Sequence, residues 1–293
     1  MTMLEKQFYL RLYDGRCVFF SEPAIMGIIN VSPNSFYNPH SDLNSVLHTA
    51  EKMIEEGADI LDIGAEATNP FVKLDKDSPS LQKELDRLIP AVDRIKKHFN
   101  ILVSVDTSRP QVMREAVNAG ADIINDQRAL QIEGALMTAA ELKTPVCLMH
   151  FPGSVQKSGS SSCSSFLENI KNDLKNAIER CATVGISRDR IIIDPGFGQG
   201  NYGKNLTVNF YLLNRLSEFT SLKLPILSGW SRKSMVGDVI NQPPMGRLFG
   251  SIAADTLAVY QGASVIRTHD VKASREAVKI AAYAKRISKD EME

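Results

Sequence analysis

The sequence predicts an α/β protein, a (β/α)8 TIM barrel preceded by an N-terminal β-hairpin. Eight apolar runs each end in a polar or charged residue, and each of the first seven is followed by a stretch of helical character. Alternating units of this kind imply a parallel sheet, and eight of them favour closure into a barrel. A doubly wound open sheet is the structural alternative. In a barrel, the residues that perform chemistry lie where the strands end.

The first 22 residues precede this alternation. Phe8–Leu12 and Cys17–Phe20 flank Asp14-Gly15, which is a strong signal for a hairpin turn. We therefore predict a hairpin extension over residues 1–22, at the bottom of a single barrel domain over residues 23–293.

The predicted strands are short and continuously apolar until their last residues. Ile191–Ile193, for example, shows no polar alternation, as expected of parallel strands that are buried on both faces. The eight runs are Ala24–Asn30, Ile60–Asp62, Ile101–Asp106, Ile123–Asp126, Val146–His150, Ile191–Asp194, Ile226–Ser231 and Val265–His269.

Helical periodicity and end signals place the helices between these strands. A helix over Asn44–Glu56 ends at Gly57, a favourable C-terminal cap, and Pro110 suits the first turn of a helix over Pro110–Ala119. Further helical stretches cover residues 79–98, 133–142, 162–184, 206–219, 244–261 and 273–287.

Composition restricts the function classes. The chain has 293 residues, of which 43% are hydrophobic, so it can bury a large core. Lys+Arg and Asp+Glu are equal at 34 each, and this balance argues against general binding to nucleic acid or to anionic membranes. The four cysteines have no metal-ligand spacing, and no apolar stretch approaches the ~20 residues of a membrane span. We expect a cytoplasmic protein with reduced thiols.

A basic cluster follows the last two predicted strands. Lys233 lies within Trp230–Ser234, and Arg267 and His269 end the eighth strand. The loops after the last two strands of a TIM barrel commonly form a phosphate site, and cations near a helix N-terminus suit phosphate or pyrophosphate. We therefore predict an anion site here, with solvated surface charge as the alternative.

Three polar residues end strands on the other side of the predicted barrel. Asp106, Asn125 and Asp194 together offer carboxylate acceptors and an amide that both donates and accepts hydrogen bonds. Such a set suits a flat heterocycle with an amino-pyrimidine edge. Helix capping or loop orientation is the alternative for each aspartate, and His150 at the end of strand five is a secondary candidate.

Long polar loops follow several strands. Asn30–Tyr37 and Gly64–Pro70 follow the first two strands and are predicted to cover a substrate. The Asn30 side-chain carbonyl is a candidate Mg²⁺ ligand, because Mg²⁺ prefers oxygen ligands and phosphate co-ligands. Asp194–Gly203 contains a formal G-x-G-x-x-G, the pattern of a dinucleotide site. Because the chain shows one barrel series, we interpret that segment as a flexible active-site loop.

These strings resemble the dihydropteroate synthase family of the folate pathway. One motif alone is weak, but seven occur in the family's order from about Ala24 to the C-terminus. They are Met26–Phe36, Ser104–Thr107, Ile124–Asp126, Leu148–His150, Asp194–Gly196, Ser231–Ser234 and Arg267–Asp270.

The resemblance implies a TIM barrel and a defined reaction. The family condenses 7,8-dihydropterin-6-ylmethyl diphosphate with p-aminobenzoate, and it releases pyrophosphate and 7,8-dihydropteroate. It further implies Mg²⁺ as cofactor, a homodimer, and small-molecule substrates rather than nucleic acid or membrane. We expect a dissociative, SN1-like displacement without a covalent enzyme intermediate, because positive charge can develop on the pterin methylene as diphosphate leaves.

The same resemblance implies roles for individual residues. The catalytic set is Asp106, Asp194, Lys233, Arg267 and His269. The resemblance implies that the pterin binds Asp106, Asn125, Asp194 and Lys233. It implies that the diphosphate binds Asn30, Arg267 and His269, and that Mg²⁺ also binds Asn30. The residues implied to contact p-aminobenzoate are Phe36, Thr68, Pro70, Phe197 and Ser234.

The chain departs from the usual family pattern in two loops. Asn34 stands where Asp is common, and Ala65, Ala67 and Asn69 replace the common Gly, Ser and Arg of the second loop. Two alternatives are a pterin-binding methyltransferase barrel that acts on a methylated folate and an inactive pterin-binding partner of a larger folate enzyme. The methyltransferase needs no diphosphate site, so the predicted anion site argues against it.

Overall fold

The fold is an eight-stranded parallel barrel with an antiparallel hairpin, which confirms the predicted class. The structure, a computed structural model, describes residues 8–31, 42–65, 79–151 and 163–290. The strands are β1 (Phe8–Arg11), β2 (Cys17–Phe20), β3 (Ala24–Asn30), β4 (Ile60–Gly64), β5 (Leu102–Asp106), β6 (Ile123–Asp126), β7 (Val146–Met149), β8 (Ile191–Asp194), β9 (Leu227–Ser228) and β10 (Val265–Thr268).

The order of the strands excludes a doubly wound sheet. From β3 to β8 each strand pairs in parallel with the next strand along the chain, and β10 lies between β3 and β9. A parallel bridge between Ile193 and Ile226 then joins β8 to the start of β9. The sheet therefore closes on itself, and all eight carboxyl ends surround one mouth, which we call the barrel mouth.

The helices surround this barrel, largely where the periodicity predicts them. No helix within the described ranges is both long and apolar enough to cross a membrane. The helices are α1 (Leu43–Glu55), α2 (Leu81–His98), α3 (Pro110–Asn118), α4 (Ala135–Leu142), α5 (Cys163–Thr183), α6 (Leu206–Asn214), α7 (Ser234–Ile240), α8 (Leu248–Tyr260) and α9 (Val271–Asp290).

The largest departure from prediction follows the seventh barrel strand. The predicted strand Ile226–Ser231 contains only the two-residue β9, and a turn follows in which Arg232 adopts a left-handed backbone with φ +57°. The helix α7 then begins at Ser234 and was not predicted. It has seven residues and no side-chain cap, so neither periodicity nor an end signal marks it.

The predicted hairpin covers the end of the barrel opposite the mouth. Phe8 and Phe20 stack on each other, with ring centroids 4.5 Å apart. Together with the fully buried Leu10, they pack against the first residues of several strands, among them Ile60 and Val265. An ion pair of 2.8 Å between Arg11 and Asp189 attaches the hairpin to the turn before β8. The hairpin therefore closes the bottom of the core.

This packing predicts a stability effect that is separate from function. Leu10→Ala should lower the free energy of unfolding by about 2–5 kcal/mol, because it leaves a cavity in the bottom core. The matched control is Tyr9→Ala, since Tyr9 is 40% exposed on the other face of β1 and should cost about 1 kcal/mol or less. Urea unfolding of both variants measures the difference, and equal losses would contradict this role of the hairpin.

Candidate active site

The strand ends bring most of the predicted site residues into the barrel mouth. Asn30, Asp106 and Asp194 are the last residues of β3, β5 and β8. Asn125 lies one residue before the end of β6, and His269 follows β10 directly. Of the other residues predicted from the resemblance, Phe36, Thr68 and Pro70 lie outside the described residues.

At the centre of the mouth, Arg267 forms ion pairs with two carboxylates. Its Nε donates to Asp62 Oδ2 over 2.6 Å, and a terminal nitrogen donates to Asp106 Oδ2 over 3.0 Å. Although burial acts to lower it, the two carboxylates hold the pKa of Arg267 above its ordinary value. The guanidinium therefore stays charged and joins β4, β5 and β10 at one point.

Asp62 is a site residue that the sequence analysis did not select. It lies within β4, is fully buried, and also accepts a hydrogen bond of 3.0 Å from Asn125 Nδ2. One signal in the sequence could have identified Asp62, because it is an acidic residue in an otherwise apolar strand. A buried carboxylate is costly unless a partner compensates its charge, so such a residue implies a buried partner. The predicted run ended at Asp62, but nothing in the sequence indicated that Arg267 would face it.

A second pair of opposite charges lies beside the first. Burial raises the pKa of the Asp194 carboxyl, and the Lys233 ammonium opposes that rise. Burial likewise lowers the pKa of Lys233 to about 8, against the opposing charge of Asp194. Asp194 Oδ1 also accepts from the Gly196 backbone N–H over 2.6 Å, which directs the carboxylate. Each of these groups thus favours the charged form of the other.

The side chain of Lys233 is directed into the mouth by the loop after β8. Its Nζ donates to the Phe197 carbonyl and lies 5.4 Å from the centroid of the Tyr202 ring. The Phe197 ring itself is buried against Trp230, with centroids 4.8 Å apart. Ser234 Oγ donates to Gln199 Oε1 over 2.6 Å. The predicted contacts of Phe197 and Ser234 with p-aminobenzoate stay predictions.

His269 lies on the cationic side of the mouth. Its Nδ1 is 3.0 Å from Ser231 Oγ, and its Nε2 is 3.4 Å from Asn30 Nδ2. Burial, and next the charge of Arg267, lowers the pKa of His269 to about 3, so the ring is neutral near pH 7. The Asn30 amide nitrogen can only donate, so Nε2 is the acceptor and Nδ1 carries the proton. The Asn30 amide oxygen consequently faces away from His269.

Two polar residues that adjoin predicted site residues in the sequence point away from the mouth. Arg232 adjoins Lys233, but its guanidinium donates to both Asp270 oxygens over 2.8 and 2.6 Å. Asp126 adjoins Asn125, but its oxygens accept from the backbone N–H groups of Arg128 and Leu130. Asp126 therefore orients the loop that follows β6.

His150 belongs to a buried polar chain behind Asp194. Its Nδ1 lies 3.2 Å from Lys204 Nζ, and its Nε2 lies 3.1 Å from Asp173 Oδ2. Burial lowers the pKa of Lys204 to about 7, although Asp194 opposes this. Burial, and then the charge of Lys204, lowers the pKa of His150 to about 3. Neutral His150 thus accepts from Lys204 and supports the loop around Asp194.

Two residues that the sequence analysis passed over also reach the mouth. Gln127 Nε2 donates to Asp106 Oδ1 over 2.9 Å and to Oδ2 over 2.7 Å. Tyr202 donates its hydroxyl hydrogen to Gln127 Oε1 over 3.1 Å. The other site residues were predicted because they are polar residues at the ends of strands. Neither Gln127 nor Tyr202 ends a strand, so this criterion did not identify them.

The residues present fit a Mg²⁺ ion that a phosphate ligand largely coordinates. Within the described ranges, no group of three His, Cys, Asp or Glu side chains is arranged to hold a metal. Mg²⁺ is commonly bound through one or two protein oxygens together with substrate phosphates and water. The Asn30 amide oxygen, beside the cations of the mouth, is a donor of that kind.

The chain is similar in sequence to known pterin enzymes. A family model described as pterin binding enzyme matches residues 26–269. The dihydropteroate synthase of Escherichia coli strain K12 is 42% identical over 270 residues, which are 91% of this chain and 93% of that protein.

Solved structures agree with the sequence comparison. The dihydropteroate synthase of Coxiella burnetii, in complex with pteroic acid, has a TM-score of 0.92 and 68% identity, over 96% of this chain and 99% of that one. The enzyme of Yersinia pestis, in complex with a sulfonamide drug, has a TM-score of 0.87 and 41% identity, over 96% of this chain and 100% of that one. These likenesses favour the synthase over the methyltransferase. The chain belongs to the dihydropteroate synthase family, whose members are pterin-binding transferases.

Proposed function

We propose that the barrel mouth condenses 7,8-dihydropterin-6-ylmethyl diphosphate with p-aminobenzoate to form 7,8-dihydropteroate and pyrophosphate. The observation that carries the proposal is that the ion pair of Asp106 with Arg267 and the neighbouring opposite charges of Asp194 and Lys233 share one mouth. Pteroic acid, which the Coxiella burnetii relative binds, joins a pterin to p-aminobenzoate and so resembles the product.

The pterin is assigned to the acidic side of the mouth. The amino-pyrimidine edge presents N–H donors beside a carbonyl, and Asp106 and Asp194 supply acceptors for the donors. Asn125 donates one hydrogen bond from its amide nitrogen to Asp62 and presents its amide oxygen as a further acceptor. Lys233 is the donor for the ring carbonyl or a ring nitrogen. Because these groups are already held in place, little reorganisation is needed when the ring enters.

The diphosphate is assigned to Arg267, His269 and Asn30. The Arg267 guanidinium remains charged, and the His269 ring is directed by Ser231. Arg267 also holds Asp62 and Asp106, and it therefore belongs to both sides of the mouth rather than to the anion site alone.

The Asn30 amide oxygen would hold Mg²⁺ in this mouth. When bound, the ion would supply neutralisation of the negative charge on the departing diphosphate. Asn30 then orients the anion, and its amide nitrogen remains directed toward His269.

The reaction is assigned a dissociative course. The bond between the methylene carbon and the diphosphate oxygen breaks, and its electron pair leaves with the diphosphate. Asp106 and Asp194 stabilise the positive charge that the pterin methylene then carries, while Arg267 stabilises the leaving group. The aniline nitrogen donates its lone pair to that carbon and afterwards loses a proton. No covalent bond to the protein forms in this sequence.

Direct assay tests the proposal. The purified protein, given dihydropterin diphosphate, p-aminobenzoate and Mg²⁺, should release pyrophosphate and dihydropteroate in equal amounts, because one of each forms per condensation. Pyrophosphate is measured by a coupled assay and dihydropteroate by chromatography. Pyrophosphate without dihydropteroate would indicate hydrolysis instead, and the absence of both at saturating substrate would contradict the proposal.

The pairing of Lys233 with Asp194 yields a second prediction. Lys233→Met should weaken binding of 6-hydroxymethylpterin by about tenfold or more, because it removes a charged donor and leaves the Asp194 carboxylate without its cation. Isothermal titration calorimetry measures the affinity, and Lys279→Met on the exposed face of α9 is the matched control. Equal affinities of the two variants would refute the role of Lys233 in pterin binding.

A homodimer is part of the proposal, and an exposed apolar surface supports it. On α8, Phe249 is 84% exposed, and Leu257 and Tyr260 lie on the same side of the helix. Ile280 and Tyr283 on the neighbouring α9 are also exposed. Contiguous apolar surface of this kind commonly marks a protein interface, and two-fold dimers are the commonest assembly. We name these five residues the α8–α9 surface. The cytoplasmic location stays a prediction from sequence.

The dimer has its own test. Phe249→Asp should convert the protein to a monomer at micromolar concentration, because a buried unpaired carboxylate in an apolar interface is costly. Light scattering after gel filtration measures the mass, and Tyr13→Asp in the exposed hairpin turn is the control. A monomeric unsubstituted protein, or a Phe249→Asp variant that remains dimeric, would overturn the assignment of the interface.

A further inference from the structure

Besides Arg267, a second side chain donates hydrogen bonds to the Asp106 carboxylate. A row of hydrogen bonds runs from the Tyr202 hydroxyl to Gln127 Oε1, and from Gln127 Nε2 to both oxygens of Asp106. We call Gln127 and Tyr202 the amide clamp. Arg267 contacts the same carboxylate from β10, so the clamp and the guanidinium hold it from two sides.

The chemistry of each group fixes the direction of this row. An ionised carboxylate only accepts hydrogen bonds, so Gln127 must turn its NH₂ toward Asp106 and its oxygen away. The Tyr202 hydroxyl then donates to that oxygen and disfavours the flipped amide. A flipped amide would place its oxygen against the carboxylate, which is repulsive. Asp106 therefore determines which end of the Gln127 amide faces it, and Tyr202 holds the other end of that amide in place.

The clamp joins two distant parts of the chain. Gln127 directly follows β6, whereas Tyr202 lies 75 residues later in the loop after β8. Tyr202 is 8% exposed, and the face of its ring lies 5.4 Å from Lys233 Nζ. Its backbone carbonyl accepts from Lys204 over 3.4 Å. The hydroxyl is thus held in position by contacts on the ring and on the backbone.

We propose that Gln127 is a positioning residue for the reaction, which orients the Asp106 carboxylate toward the pterin, and that Tyr202 acts through Gln127. The inference rests on the proposed function, because it requires Asp106 to bind the pterin. A contact to one oxygen, such as that of Arg267 to Asp106 Oδ2, does not by itself prevent rotation of a carboxylate. The Gln127 amide contacts both oxygens and so restricts that rotation. Pre-orientation of this kind favours binding, because it lowers the entropy that the ligand must remove.

Three single substitutions test the clamp. Gln127→Met keeps the length of the side chain but removes the donor to Asp106, and it should weaken 6-hydroxymethylpterin binding by about tenfold. Gln127→Glu places a second carboxylate beside Asp106 and should weaken binding further. Tyr202→Phe keeps the ring beside Lys233 and should have the smallest effect. Calorimetric titration measures each affinity, with Gln131→Met and Tyr211→Phe as controls outside the clamp.

A double substitution separates the clamp from simple structural damage. If Tyr202 acts through Gln127, then Tyr202→Phe should have no further effect in a Gln127→Met background. Inorganic pyrophosphate, titrated with Mg²⁺, should bind Gln127→Met and Tyr202→Phe as it binds the unsubstituted protein, because these two substitutions leave the predicted diphosphate residues and their charges in place. In steady-state assays, the same variants should raise KM for dihydropterin diphosphate and leave KM for p-aminobenzoate unchanged.

Each possible result of these experiments either supports or overturns the proposal. Additive effects of the two substitutions, or equal loss of pterin and pyrophosphate binding in a variant whose melting temperature is unchanged, would overturn the proposal. So would a Gln127→Met variant that binds the pterin as the unsubstituted protein does. If Gln127→Met does not fold, Tyr202→Phe and its pterin affinity decide the question. An unsubstituted protein that binds the pterin but forms no dihydropteroate would refute the proposed function, whereas the titrations would still test the clamp.

Discussion

The barrel mouth depends on one partly buried cation that two carboxylates share. Arg267 on β10 bonds to Asp62 on β4 and to Asp106 on β5, so it compensates two charges that would otherwise be costly to bury. The arrangement requires the parallel register in which Gly64 lies opposite Asp106 and Arg267 lies opposite Met26. A slip of one residue would turn each of these side chains to the other face of the sheet. The charges of the site thus favour a single alignment of the strands.

The same pairing explains how a charged site can be formed before its substrate arrives. Arg267 and Lys233 each have carboxylate partners, and neutral His269 adds a polar group without an additional charge. A diphosphate therefore enters a mouth whose cations are already in position and whose aspartates face the pterin side. Because water is largely excluded from these groups, the stabilisation of separated charge is stronger than it would be in solvent.

Features encoded locally were predictable, and features that depend on distant contacts were not. The strands, the hairpin and the strand-end residues follow from periodicity and turn signals within short windows. Asp62 and Arg267 are hydrogen-bonded across a sequence separation of 205 residues, and Gln127 and Tyr202 across 75. A local sequence pattern covers far fewer residues than this, so it cannot predict either contact. The sequence also did not reveal that the adjacent Arg232 and Lys233 point in different directions, because the left-handed backbone at Arg232 is a tertiary outcome. The two loops after β3 and β4 depart from the family pattern at Asn34 and Asn69, among others, and their contacts lie outside the described residues.

The short β9 has a consequence for how the barrel moves. Between β8 and β9, the described contacts include one bridge, Ile193 to Ile226, with a backbone bond of 3.0 Å to Pro225, whereas β4 and β5 pair over five residues. This junction has the shortest ladder in the barrel, so we expect its amide hydrogens to exchange early with solvent. Asp194 and Lys233 lie on opposite sides of the junction. In the proposed binding mode a pterin contacts both residues, so the substrate would itself connect the two strands where the barrel has its fewest backbone contacts.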